Sequence, residues 1–129
     1  MMFKEVTLTG TPYERGRQYG VACKKEIALS MRTYESLFAR HRIITWEQAR
    51  KLSLLYLPAI RELDEAYVRE MQGIADGAGV NFEDILVINS RSELLYSNLP
   101  ADKAVPQECT AFSLLPPATQ DGAVIAGQS

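Results

Sequence analysis

The chain has 129 residues, enough for one domain with a buried core. Hydrophobic residues make up 47% and charged residues 23% of it, which excludes wholesale disorder. The 14 Lys and Arg residues against 16 Asp and Glu residues give a net charge of −2, so nothing favours a nucleic acid or an anionic membrane surface as partner. No apolar run approaches the roughly 20 residues of a membrane-spanning helix. The N-terminus lacks the apolar stretch of a secretory signal, and we therefore expect a cytoplasmic protein.

The first part of the chain predicts a short strand and then a long helix. Residues 3 to 8 alternate loosely between apolar and polar side chains, and Thr11, Pro12 and Glu14 then form a helix start signal. Small or apolar residues follow at steps of three and four, which predicts one helical face over about eight turns: Gly16, Tyr19, Cys23, Ile27, Met31, Tyr34, Phe38 and His41. Gly16 and Gly20 each weaken a helix by about 1 kcal/mol relative to alanine, so we expect close packing against another backbone there.

A second start signal at Thr45 opens another helical pattern, which Pro58 divides. The apolar pattern then resumes and is predicted to end at Gly77 and Gly79 as left-handed C-cap residues. Its apolar members are Ile60, Leu63, Tyr67, Met71 and Ile74. Asn81 is predicted to cap a further short helix.

The character of the sequence changes after this point. Residues 97 to 107 carry two prolines and little periodicity, which is typical of an exposed loop. Residues 110 to 115 and 123 to 126 predict two strands, and residues 116 to 122 predict a hairpin connection between them. The predicted class is α+β, mostly helical and ending in a β-hairpin.

Cysteine and histidine are scarce. The residues Cys23, Cys109 and His41 form no CxxC or His/Cys cluster, so no metal site is predicted. We interpret Cys23 as a core thiol because it falls on the apolar face of the first helix, and His41 as a solvated or capping residue. Cys109 stands between a polar loop and a strand, where the pattern alone favours a buried structural thiol.

Three groups of segments stand out in order along the chain. The first is residues 10–20 (Gly-Thr-Pro-Tyr-Glu-Arg-Gly-Arg-Gln-Tyr-Gly). The second is residues 70–80 (Glu-Met-Gln-Gly-Ile-Ala-Asp-Gly-Ala-Gly-Val), followed by Asp-Ile-Leu at 84–86 and Asn-Ser-Arg-Ser-Glu at 89–93. The third is Cys-Thr-Ala-Phe at 109–112, with Asp-Gly at 121–122 and Gly-Gln at 127–128. Together they cover nearly the whole chain and resemble the acyl-coenzyme A:isopenicillin N acyltransferase family.

The resemblance implies the N-terminal, mostly helical part of a four-layered αββα N-terminal-nucleophile fold. Residues 1–108 would be a helical α-chain-like region with a short N-terminal strand, and residues 97–108 its exposed processing loop. Residues 109–129 would be the first strands of a β-chain-like region. The precursor would cut itself between Glu108 and Cys109, and Cys109 would then be the catalytic nucleophile. The new α-amine, with an ordinary pKa of about 7.7–8.0, would serve as its base without a histidine.

The implied substrates are small N-acyl amides or acyl-CoA thioesters, with no metal or organic cofactor. Arg91 and Glu93 lie in a resembling segment, and we favour an ion pair or hydrogen-bond bracket between helix and sheet over a substrate contact. Tyr13, Arg15 and Arg17 would contact an acidic substrate tail or simply form an exposed first helical turn.

The pattern departs from the family at its end. There the family continues Gly-Gln with Asn-Trp-Asp, whereas Ser129 follows Gln128 here and is the last residue. The aspartate and the later oxyanion-hole residues would belong to a missing remainder of the β-chain, and without them the chain is expected to be too short to act alone as an acyltransferase or hydrolase. The alternative hypothesis is a non-catalytic truncated helical domain or interaction module that retains the cysteine by descent.

Overall fold

A computed structural model describes residues 4–42, 44–96 and 111–128. These residues form seven helices and one pair of strands, which confirms a mostly helical chain that ends in a hairpin. The elements are α1 (Pro12–Ala22), α2 (Lys24–His41), α3 (Trp46–Ser53), α4 (Leu57–Leu63), α5 (Glu65–Ala78), α6 (Phe82–Asn89), α7 (Arg91–Tyr96), β1 (Ala111–Leu114) and β2 (Ile125–Gln128). The chain divides into two compact units, Met1–Asn98 and Leu99–Ser129. Among the described helices, none has the length and apolar character to cross a bilayer.

The start of α1 is the predicted capping box. The Glu14 N–H donates to Thr11 Oγ1 at 3.3 Å, and the Thr11 N–H donates to Glu14 Oε2 at 2.8 Å. The prediction of one long helix is wrong, because Cys23 leaves the helical conformation at φ −110° and ψ 24°. This break lets α1 follow α5, whereas α2 also contacts α3, α6 and α7.

The predicted strand at residues 3 to 8 is not observed, since residues 4–9 carry no regular secondary structure. The Thr9 N–H donates to Gln18 Oε1 at 3.1 Å, and Gln18 Nε2 donates to the Thr9 carbonyl at 2.9 Å. The Lys4 ammonium donates to the Ala22 carbonyl. A strand needs backbone partners, and in the described residues this segment is held instead by the Gln18 side chain and by the contact of its own Lys4 side chain with α1.

Helices α1 and α5 run side by side in the same direction with their backbones in contact. A Cβ atom added at Gly16 would lie 2.0 Å from the Glu70 carbonyl oxygen, and one added at Gly73 would lie 2.2 Å from the Tyr13 carbonyl oxygen. Gly20, four residues after Gly16, makes an equivalent approach to α5. The predicted close packing at Gly16 and Gly20 is therefore confirmed.

The two glycines at the end of α5, Gly77 and Gly79, have different roles. Gly79 has φ +70° and is the left-handed C-cap, as predicted. Gly77 was predicted to share that role but lies inside the helix, where a Cβ would meet the Arg17 carbonyl oxygen at 2.3 Å. Asp64 separates α4 from α5, and its carboxylate accepts the Ala66 N–H at 2.8 Å as an N-cap.

Two buried clusters form the core of the helical unit. The larger one contains Cys23, Ile27, Val68, Met71, Ala75, Ala78, Ile85 and Leu86, which confirms Cys23 as a core thiol. The smaller one contains Phe38, Ala49, Val87 and Leu94, with Tyr34, Trp46 and Tyr56 packed against it. Both clusters lie entirely within α1 to α7 and their short connections.

The second unit contains an antiparallel hairpin. Its register pairs Ala111 with Gln128 and Leu114 with Ile125. The second strand begins two residues later than predicted, because residues 123 and 124 are still outside the ladder. The Phe112 ring lies across the partner strand, so a Cβ added at Gly127 would meet that ring at 2.6 Å.

Candidate functional site

The predicted processing bond lies outside the described residues, and so do both of its residues, Glu108 and Cys109. The chain on its C-terminal side is described from Ala111, which begins β1 two residues after Cys109. The chain on its N-terminal side is described as far as Tyr96, the end of α7. The predicted order of helix, intervening segment and strand is therefore present around the cysteine.

Arg91 and Glu93 do not form the expected bracket. They are two residues apart on α7, a spacing that does not bring helical side chains together. Arg91 donates from Nη1 to the Ile88 carbonyl at 2.9 Å, and its guanidinium carbon lies 5.7 Å from the centre of the Tyr34 ring. Arg91 thus connects α7 to α2 by a cation–π contact.

The candidate substrate contacts at the start of α1 are occupied by α5. Arg15 donates from Nη2 to Glu70 Oε2 at 2.9 Å, and the Tyr13 hydroxyl donates to Asp76 Oδ2 at 2.7 Å. The hydrogen bond from Tyr13 lowers the pKa of Asp76, and the same bond raises the pKa of Tyr13. These groups reinforce the close contact of the two helices.

The most enclosed charged group in the described residues is Asp84 in the first turn of α6, at 1% exposure. Its Oδ1 accepts hydrogen bonds from Trp46 Nε1 at 2.6 Å and from Arg50 Nε at 2.7 Å. Its Oδ2 accepts the backbone N–H of Asn81 at 3.0 Å. One carboxylate therefore joins α3 to the N-terminus of α6.

The electrostatic balance at Asp84 favours the charged form. Burial acts to raise its pKa, but hydrogen bonds from Arg50, Trp46 and the Asn81 backbone outweigh burial, so the pKa lies below its usual 3.8. The hydrogen bond between Arg50 and Asp84 also raises the pKa of Arg50. Sequence reasoning placed Asp84 only in a resembling segment, after the predicted helix cap at Asn81. The signal that it missed is a capping carboxylate followed directly by a run of aliphatic residues, which places that helix N-terminus in the core.

Three neighbouring depressions lie on the helical unit and share Asn89. The first, of about 350 Å³, lies between α4 and α5 and is lined largely by apolar side chains. The second, of about 290 Å³, extends toward α7 and includes Glu93. The third, of about 250 Å³, extends toward α2 and includes Glu26. Asn89 is exposed, and its Nδ2 donates to the Ile85 carbonyl at 2.9 Å.

Within the described ranges, no group of three His, Cys, Asp or Glu residues is arranged to hold a metal ion. No protein-family model matches the chain. The helical unit contains the buried carboxylate of Asp84, which joins α3 to α6, and an open, largely apolar surface around Asn89. The cysteine among its described residues, Cys23, is buried.

Proposed function

We propose that the chain is the N-terminal part of a self-processing cysteine acyltransferase or amidohydrolase of the acyl-coenzyme A:isopenicillin N acyltransferase type. The observation that supports this proposal best is the position of Cys109 two residues before β1 and eleven residues after the end of the helical unit. A cut between Glu108 and Cys109 would leave α1 to α7 and the hairpin intact. In the full-length protein, the helices would cover one face of an αββα sandwich.

The proposed processing step is an acyl shift. The Cys109 sulfur attacks the Glu108 carbonyl carbon, a C–S bond forms, the C–N bond breaks, and the thiol proton passes to the departing nitrogen. Water then resolves the thioester, which leaves a carboxylate on Glu108 and restores the thiol. The liberated α-amine has a pKa close to neutral and can accept the thiol proton in later turnovers.

The proposed mature reaction uses the same sulfur. The Cys109 thiolate attacks an N-acyl amide or an acyl-CoA thioester to give an acyl-enzyme, and water or an amine takes the acyl group. No metal or organic cofactor enters this chemistry. A cytoplasmic location fits it, because thiols stay reduced there.

The processing step is tested by capturing its thioester. Hydroxylamine at neutral pH cleaves thioesters, so it should release residues 1–108 as a hydroxamate when the parent chain refolds in its presence. Cys23→Ala is the matched control and should behave as the parent does, because Cys23 is buried in the helical core. Cys109→Ala should give no cleavage. Equal cleavage of all three proteins, or of none, would contradict the proposal.

A second candidate function is an interaction module without catalysis. The observation that favours it is a helical unit whose two core clusters are complete within α1 to α7 and whose apolar surface around Asn89 is open. A chain that stays uncut with hydroxylamine but binds a partner through that surface would support this candidate.

A further inference from the structure

Asp76 and Asp121 are each followed directly by a glycine, and the fold places the two Asp-Gly pairs in opposite surroundings. Asp76 and Gly77 lie inside α5, whereas Asp121 and Gly122 lie in the exposed connection between β1 and β2. The nitrogen of the residue after an aspartate can attack the aspartate's carboxyl group, and glycine permits this most readily because it has no side chain to shield that nitrogen. The two pairs share the same chemistry, so a difference in their reactivity comes from the fold.

The surroundings of Asp121 favour this attack. Asp121 Oδ1 accepts a hydrogen bond from the Ala123 N–H at 3.1 Å, which folds the carboxyl group back toward the Gly122 peptide. The Gly122 N–H lies 3.5 Å from the Thr119 carbonyl oxygen, which is longer than the usual hydrogen bond. A Cβ atom added at Gly122 would meet nothing within 4 Å. The reacting nitrogen is therefore weakly held, and the space beside it is open.

The surroundings of Asp76 oppose the same attack. Gly77 is a residue of α5, so its nitrogen is held in the helical backbone. A Cβ atom added at Gly77 would lie 2.3 Å from the Arg17 carbonyl oxygen, because α1 closes the space on that side. The Asp76 carboxylate accepts hydrogen bonds from the Tyr13 hydroxyl at 2.7 Å and from Gln72 Nε2 at 2.9 Å. A reaction at Asp76 would have to break both the helix and these contacts.

We propose that Asp121 is a site of spontaneous isomerisation in the folded protein, whereas Asp76 is protected. The Gly122 nitrogen attacks Asp121 Cγ, a C–N bond forms, and the amide hydrogen leaves with the carboxyl hydroxyl group as water. Water then opens the resulting succinimide ring by breaking either of its C–N bonds, which restores aspartate or gives isoaspartate. Isoaspartate adds one methylene to the backbone of the hairpin connection, whose length helps to fix the register of β1 and β2. This modification goes beyond the processing of Cys109 and does not depend on it.

The test is incubation of the full chain at neutral pH in water enriched with heavy oxygen. Peptide mapping by mass spectrometry, with fragmentation, then locates the label. The Cys109→Ala background keeps the chain whole, so the result is independent of self-processing. Each ring opening incorporates one heavy oxygen atom, whichever product forms. Asp121 should gain label at least about tenfold faster than Asp76, because α5 must open locally before Asp76 can react.

Two controls connect the result to the chemistry and to the fold. Asp121→Glu cannot form a succinimide and should gain no label at that position. In guanidinium chloride the chain is unfolded, so Asp76 and Asp121 should gain label at similar rates. Equal rates in the folded chain, or an unlabelled Asp121, would overturn the proposal. So would a difference that persists in the unfolded chain, since the local sequence and not the fold would then cause it.

Discussion

Asp84 is the residue on which the junction of α3 and α6 depends. Its carboxylate receives one hydrogen bond from an indole, one from a guanidinium and one from the backbone, so both oxygens are satisfied although the side chain is buried. Removing one member of such a buried group leaves the others without partners, which costs more free energy than the formed hydrogen bonds contribute.

Asp84→Asn is expected to lower the free energy of unfolding at about pH 7 by about 1–3 kcal/mol, because the carboxylate charge that pairs with Arg50 and accepts the Trp46 hydrogen bond is lost. The pKa of Asp84 is lowered in the folded state, so its contribution is present above the usual value of 3.8 and is lost as the pH falls through the lowered pKa. The parent should therefore lose more stability than Asp84→Asn between about pH 5 and about pH 2. Urea unfolding at a series of pH values measures this difference. Parallel curves would contradict the role given to Asp84.

At the scale of elements, the contact between α1 and α5 is the tightest in the helical unit. Four glycines lie at this contact, and each faces a backbone carbonyl oxygen of the other helix that no rotamer change can move: Gly16, Gly20, Gly73 and Gly77. The loss of helix propensity at these glycines is offset by the packing that their small size permits.

Gly73→Ala is expected to lower the free energy of unfolding by about 2–4 kcal/mol, although alanine favours a helix by about 1 kcal/mol over glycine. The cause is steric, since the new Cβ would lie 2.2 Å from the Tyr13 carbonyl oxygen. Arg69→Ala on an exposed position of the same helix is the control and should change stability by less than about 0.5 kcal/mol. Chemical denaturation of both variants measures the effect. A stabilised Gly73→Ala would show that the two backbones are further apart.

Local sequence signals predicted where helices begin better than they predicted which elements contact each other. Thr11, Thr45 and Asn81 all precede helices as expected, because a helix start depends on a few neighbouring residues. The break at Cys23 could not be predicted, since α1 and α2 continue one apolar pattern and differ only in the helices that they contact. The prediction of a strand at residues 3 to 8 was wrong because a strand forms only where the backbone of another segment pairs with it.

The candidate site was predictable only in part, because its hydrogen bonds join residues that are far apart in the sequence. A strand over residues 110 to 115 was predicted from the sequence, and its observed form is β1. The carboxylate network of Asp84 was missed because its donors, Trp46 and Arg50, are more than 30 positions away in the sequence. The partner of Arg91 was missed for the same reason, because Tyr34 lies on α2.

At the scale of the whole molecule, the two units differ in what stabilises them. The helical unit contains both buried clusters. The second unit contains a two-stranded hairpin, and an isolated hairpin is marginally stable in water. The core of the helical unit therefore does not require the hairpin residues.

A chain ending at Asn98 is expected to unfold cooperatively with a midpoint within about 2 °C of that of the full chain, because no residue of either cluster is removed. Circular dichroism at 222 nm follows the helices of both proteins during heating. A midpoint lower by about 4–8 °C or more would mean that the removed residues contribute at least about 1 kcal/mol to the helical unit.

The most direct measurement of the central proposal is the intact mass of the purified chain, beside Cys109→Ala and Cys23→Ala. The parent and Cys23→Ala should each give two pieces, residues 1–108 and residues 109–129, with a new N-terminal cysteine on the smaller one. Cys109→Ala should stay whole. A parent that remains a single species of 14.4 kDa, or a Cys109→Ala variant cut at the same bond, would contradict self-processing by Cys109.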